Sequence, residues 1–129
     1  IALAGRAMAD GIGAARKAGG RHKEISDRMT LIHGDSISLL PQMHADVVVI
    51  DPMHPPRQKS ALVKSEMRAI RAIVGIDDDQ RNLIETALAM AAKRVVLKWP
   101  AKAAPLDGLR QASHQIIGKS IRYDVFMTG

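Results

Sequence analysis

Val47-Val48-Val49-Ile50 is an uninterrupted apolar run of β-branched residues, and Asp51 ends it. Such a run has no polar face to give to water, so it predicts a strand buried on both sides of a parallel sheet. Parallel strands need crossover connections, usually helical, which confines the chain to an α/β architecture. The next residues are Pro52-Met53-His54-Pro55-Pro56. Each proline fixes its own φ and pushes the residue before it from helical toward extended geometry. The loop therefore presents peptide carbonyls outward. A carboxylate and carbonyls gathered at one sheet rim are hydrogen-bond acceptors, which suits a substrate amine.

The rest of the chain supplies the elements such a sheet needs. Residues 1 to 18 read as an Ala-rich amphipathic helix stopped by Gly19-Gly20. A polar stretch, Arg21 to Arg28, leads to Met29-Thr30-Leu31-Ile32, which reads as a strand ending at His33-Gly34-Asp35-Ser36. After a link containing Pro41 come the strand at 47–50 and the proline loop. Val63, Met67, Ile70 and Val74 then fall on one face of a helix, with Lys64, Arg68 and Arg71 on another. A second helix starts at Asp77-Asp78-Asp79, whose charges suit a helix N-terminus, and runs through Leu83, Ile84, Ala87, Leu88 and Ala91 to Lys93-Arg94. Val95-Val96-Leu97 reads as another buried strand, followed by Lys98-Trp99-Pro100. His114 to Lys119 and Arg122 to Met127 read as an antiparallel pair at the sheet edge, joined tightly near Ser120. The expected fold is an α/β, Rossmann-like, mostly parallel sheet with an antiparallel C-terminal hairpin. Ligands of such sheets bind outside the carboxyl ends of the strands. Asp35-Ser36, Asp51 and Lys98 all follow apolar strands at that rim.

Composition narrows the function classes. The 129 residues suffice for one domain with one core. The absence of cysteine excludes a disulfide framework, a thiolate zinc site and a cysteine nucleophile, and fits a reducing cytoplasm. Arg6 and Asp10 interrupt the apolar N-terminal residues, so these do not read as a signal peptide, and no membrane span is expected. His22, His33, His44 and His114 show no metal-ligand spacing, so no metal is expected. A formal charge of +6 favours a polyanionic partner. With only Trp99, Tyr123 and Phe126 as aromatics, a stacking platform for single strands is not expected.

The segment Asp51-Pro52-Met53-His54-Pro55 resembles the Asp/Asn-Pro-Pro-aromatic motif that follows strand four in class I amino-methyltransferases. Together with Gln58 to Lys64 and Glu66-Met67-Arg68, it is similar to the RsmJ family, which methylates the N2 amine of a guanine in 16S ribosomal RNA. The likeness continues through Val74-Gly75, Lys93 to Lys98 with Pro100, and Arg122-Tyr123-Asp124. The resemblance implies S-adenosylmethionine as cofactor, with Asp35 and Ser36 toward its adenine end and Asp51 beside its methyl group. Pro52 would add a carbonyl to the acceptor pair. Met53 departs from the broad motif's second proline, and His54 stands where an aromatic usually stacks on the base, a role histidine can share. Arg57, Lys59, Lys64 and Lys98 are expected to hold RNA, in the 16S strand or the small ribosomal subunit, with the target base unpaired or flipped out. The family's glycine-rich turn and the acidic residue after its second strand have no counterpart here. Strands one and two are therefore expected upstream of Ile1, and the chain is expected to be a partial methyltransferase domain.

Two other readings share some of these residues. A signalling receiver domain would use Asp51 as phosphoacceptor, with Pro55 and Lys98 nearby. Against it, 61–92 reads as two consecutive helices with no strand between them, and no acidic pair precedes Asp51 on an earlier strand. A catalytically silent RNA-binding relative would keep the fold, but gives no reason for an aspartate at position 51.

Overall fold

A computed structural model describes residues 2–52 and 76–129 of the chain, which divides into two compact units, 1–35 and 36–129. In the first unit, α1 (Ala2–Ala18) ends where expected. Gly19 and Gly20 have φ of 71° and 55°, a left-handed backbone that glycine adopts without steric cost. The chain then turns helical again in α2 (Gly20–Ser26), which hydrophobic spacing does not announce. Polar contacts hold it instead. Lys23 donates to Asp27 four residues on at 2.7 Å, the Ser26 hydroxyl donates to the Lys23 carbonyl, and Arg16 reaches the Ser26 and Met29 carbonyls at 3.4 Å.

Met29-Thr30-Leu31-Ile32 is not a strand, which corrects the sequence reading. No described strand pairs with it, and Met29, Leu31 and Ile32 are exposed. An apolar run becomes a strand only where a neighbour takes its N–H and C=O groups.

The second unit opens with the short α3 (Ser36–Leu39) and a 3₁₀ turn, Leu40–Gln42, where Pro41 fills a position that needs no N–H. Then come β1 (Val47–Ile50), α4 (Ile76–Met90), β2 (Arg94–Pro100), β3 (His114–Ile117) and β4 (Ile121–Met127). The four strands lie in the order β1-β2-β4-β3, with β1 parallel to β2 and the other pairings antiparallel. The described sheet is thus mixed rather than mostly parallel. One cause is the missing strand at 29–32. The other is that β4 inserts between β2 and β3, so only β3 of the hairpin lies at the edge. The turn joining them needs Gly118, because a Cβ there would sit 2.8 Å from the Ile121 carbonyl oxygen, which accepts the Gly118 N–H.

The core occupies one face of this sheet. Ile84, Ala87 and Ala91, in and just after α4, pack with Ile50, Val95, Leu97, Trp99 and Phe126. Fully burying a side chain such as Ile84 or Val95 contributes about 1.5–3 kcal/mol. β2 alternates strictly, with Val95, Leu97 and Trp99 buried and the residues between them partly open. β1 also departs from its expected burial on both faces. Ile50 is buried and Val48 half-buried, but Val47 is exposed and Val49 is 64% exposed. The strand ends the described sheet, and α4 covers only its Val48 and Ile50 side. Among the described residues, no helix is long and apolar enough to cross a membrane.

Candidate functional site

The parallel register of β1 on β2 builds the centre of the site. Val47 pairs with Arg94 and so on to Ile50 with Leu97, so the next residues, Asp51 and Lys98, come side by side at the carboxyl rim. Successive side chains alternate between faces, which turns Asp51 and Lys98 away from the core that Ile50 and Leu97 enter. The Lys98 ammonium donates to Asp51 Oδ2 at 3.0 Å. Lys98 keeps 35% of its side chain exposed and Asp51 63%, so the pair sits at a wet rim. The hydrogen bond to Asp51, then the charge of Asp51, raises the Lys98 pKa above its ordinary 10.5, against a smaller opposing effect of desolvation.

Asp51, Pro52 and Lys98 line a cleft of about 390 Å³ with Trp99, Pro100, Ser120 and Ile121. Its far wall was not legible from the sequence, because it depends on the antiparallel register that sets Pro100 opposite Ile121. That wall is held from behind by Arg122. Its guanidinium donates to the carbonyls of Pro100, Ala101 and Ala103 at 3.2, 3.1 and 2.7 Å, and to Asp124 Oδ1 at 2.9 Å. Asp124 Oδ1 also accepts from Gln115. The proximity of Lys98 to Asp51 could have been anticipated, since each lies one step past the paired ends of adjacent parallel strands.

Of the expected site residues, the structure brings Asp51, Pro52 and Lys98 together. Asp35 closes the first unit, and Ser36 begins α3 in the second. His54, Arg57, Lys59 and Lys64 lie outside the described residues, as does the helix expected over 63–74. Among the described residues, no cluster of three or more His, Asp or Glu side chains could hold a metal ion.

β1 carries Asp51 to an open cleft beside Lys98 of the adjacent parallel strand, and comparison with known proteins specifies the class of the fold that holds it. The chain matches the family model described as "Putative SAM-dependent methyltransferase" over residues 2–128, and it belongs to that family. More particularly, it is 61% identical over 120 residues to the "Ribosomal RNA small subunit methyltransferase J" of Agrobacterium fabrum, covering 93% of this chain and 58% of the relative. The proteins of the same name from Brucella anthropi and Thioalkalivibrio sulfidiphilus are 58% and 46% identical, with 93% and 95% of this chain and 58% and 49% of theirs covered. A solved SAM-dependent methyltransferase from Neisseria gonorrhoeae superposes with a TM-score of 0.69 at 30% identity, over 92% of this chain and 48% of its own. The chain thus spans roughly half to three-fifths of the length of these proteins. Membership of this family sets the receiver-domain reading aside.

Proposed function

We propose that the chain contributes the acceptor half of an S-adenosylmethionine-dependent methyltransferase site that modifies the exocyclic N2 amine of a guanine in 16S ribosomal RNA. The observation that carries this reading is the Asp51-Pro52 pair at the end of β1, lining an open cleft beside Lys98. The likeness to proteins named for small-subunit ribosomal RNA methylation supports the substrate. A ribosomal RNA substrate assigns the work to the cytoplasm.

The cleft suits the cofactor's reacting end. A sulfonium is a cation with an electrophilic methyl group, and a solvent-open rim that carries a carboxylate tolerates it where an apolar pocket would not. When bound, the cofactor supplies that methyl. The residues that would hold it are Asp51 at the methyl end and, on the family pattern, Asp35 and Ser36 toward the adenine.

The chain's own residues do the rest by placement. Guanine N2 is a poor nucleophile because its lone pair is delocalised into the ring. The Asp51 carboxylate and the Pro52 carbonyl accept its two N–H bonds, which turns the lone pair toward the cofactor. A fixed carboxylate beside the nitrogen would stabilise the positive charge arriving there as the methyl group's bond to sulfur breaks, its electron pair staying on the sulfur, and the bond to nitrogen forms. Asp51 need not be a strong base, since the amine becomes acidic only once methylated and its proton can leave to water. His54 offers a stacking surface for the base, and Arg57, Lys59 and Lys64 hold the RNA backbone.

Asp51→Asn in the full-length protein tests this. The amide keeps the shape and loses the charge, so methyl transfer to 16S RNA should fall about 100-fold or more while the fold is retained. Calorimetry with S-adenosylmethionine on the unaltered protein is the companion measurement. Absence of binding would sink the enzyme reading and favour the silent relative.

A further inference from the structure

We infer that Lys98 is a positioning residue for Asp51, occupying carboxylate Oδ2 so that Oδ1 is the oxygen left for the substrate amine. The inference rests on the methyltransferase reading and changes the expected job of Lys98 from RNA contact to control of the acceptor.

Three observations carry it. The register leaves Lys98 little choice, since Ile50 pairs with Leu97 and the next residue on each strand shares a face and a rim. The bond is one-sided, with Nζ on Oδ2 at 3.0 Å and no described partner on Oδ1. Both residues also line the same cleft. Stability does not explain the arrangement, because exposed ion pairs contribute little once screening and side-chain entropy are counted. An unpaired aspartate at a wet rim could rotate and offer either oxygen. An ammonium on one oxygen fixes the plane of the carboxylate and aims the other.

The pair has an electrostatic consequence as well. Lys98 offsets the charge of Asp51, so the carboxylate can accept from an amine without strongly favouring the cationic cofactor over its neutral thioether product. A bare carboxylate there would bind S-adenosylmethionine more tightly, at no benefit to the step that follows.

The test uses full-length protein with Lys98→Met and Lys98→Arg. For Lys98→Met, kcat should fall about 10- to 100-fold, with KM for 16S RNA within about threefold of the parent and an unchanged salt dependence. Lys98→Arg should restore most of the loss, since it returns a donor and a charge. By calorimetry, Lys98→Met should raise the preference for S-adenosylmethionine over S-adenosylhomocysteine about twofold, the effect of removing one unit charge roughly 8 Å away in a water-like medium. An unchanged kcat with raised KM and a shallower salt dependence would overturn the proposal in favour of a phosphate contact. If the unaltered protein binds cofactor but transfers no methyl group to RNA, the substrate reading fails by itself. The cofactor preference then decides the pairing, and an unchanged ratio in Lys98→Met overturns it.

Discussion

The same sheet holds two acid–base pairs that differ in almost everything except chemistry. Arg122 and Asp124 sit on β4, each with 6% of its side chain exposed; the guanidinium donates to Asp124 and to three carbonyls, and its Nη2 is buried without a described partner. Lys98 within β2 and Asp51 just past β1 stand at the carboxyl rim, with 35% and 63% exposed and only one bond between them. Burial decides which of these can be a site. A buried pair spends most of its hydrogen-bonding capacity inside the fold, because an unmet charge there is costly. A rim pair can leave capacity open for a ligand. The two pairs are joined through Pro100, whose carbonyl accepts from Arg122 and whose residue walls the cleft of Asp51.

The largest effect should come from breaking the buried member. Arg122→Met removes the donor to the carbonyls of Pro100, Ala101 and Ala103 and leaves Asp124 with Gln115 alone. The cost should be about 3–5 kcal/mol, measured as a lower urea midpoint at constant slope. Arg122→Met combined with Asp124→Leu should recover much of that loss, because the carboxylate is no longer stranded. If the single variant is as stable as the parent, burial does not separate the two pairs.

Ile84→Ala, next in size, tests whether the apolar core alone accounts for the rigidity behind the cleft. Ile84 is fully buried on α4 against β1 and β2, and its truncation should cost about 2–5 kcal/mol. Unlike Arg122→Met, it removes no hydrogen bond to the cleft wall, although it shares the core with Trp99. At temperatures where both variants are folded, Ile84→Ala should therefore retain more of the methyl transfer.

How much of this was legible in the sequence follows from the kind of signal each part carries. Val47 to Ile50, Val95 to Leu97 and the helix through Ile84 and Ala87 are local patterns of apolar spacing, and each is found, although the helix ends at Met90 and Arg94 already belongs to β2. The helix Gly20–Ser26 was missed because Lys23, Asp27, Ser26 and Arg16 hold it by polar contacts that leave no hydrophobic period. Met29 to Ile32 was overread, because the run has strand composition and pairing is a property of two segments. At the site, Asp51 and Pro52 announced themselves through the strand before them and the prolines after. Lys98 was visible at the same rim as Asp51, and only the bond between them had to come from the register of β1 on β2. Ser120 and Ile121 entered the cleft through the insertion of β4, which the order of elements along the chain does not reveal.

The smallest expected effect concerns pH, and it sharpens the contrast from the exposed side. Asp51 raises the Lys98 pKa above 10.5, so the folded state holds this proton more firmly than the unfolded chain does. The stabilisation is therefore fully present below 10.5 and is lost as pH climbs through the higher folded value. The urea-midpoint difference between parent and Lys98→Met should stay constant from about pH 7 to pH 10 and close only beyond that. A gap that closes near neutrality would mean that the ammonium is not held by Asp51 in solution. The same sign governs the chemistry. Because Lys98 keeps its proton throughout the neutral range, any inflection of kcat between about pH 6 and pH 9 must belong to another group and should persist in Lys98→Met. An inflection there that disappears with the lysine would make Lys98 a proton carrier instead of a fixed positive charge, and the division of labour between the two carboxylate oxygens would fail with it.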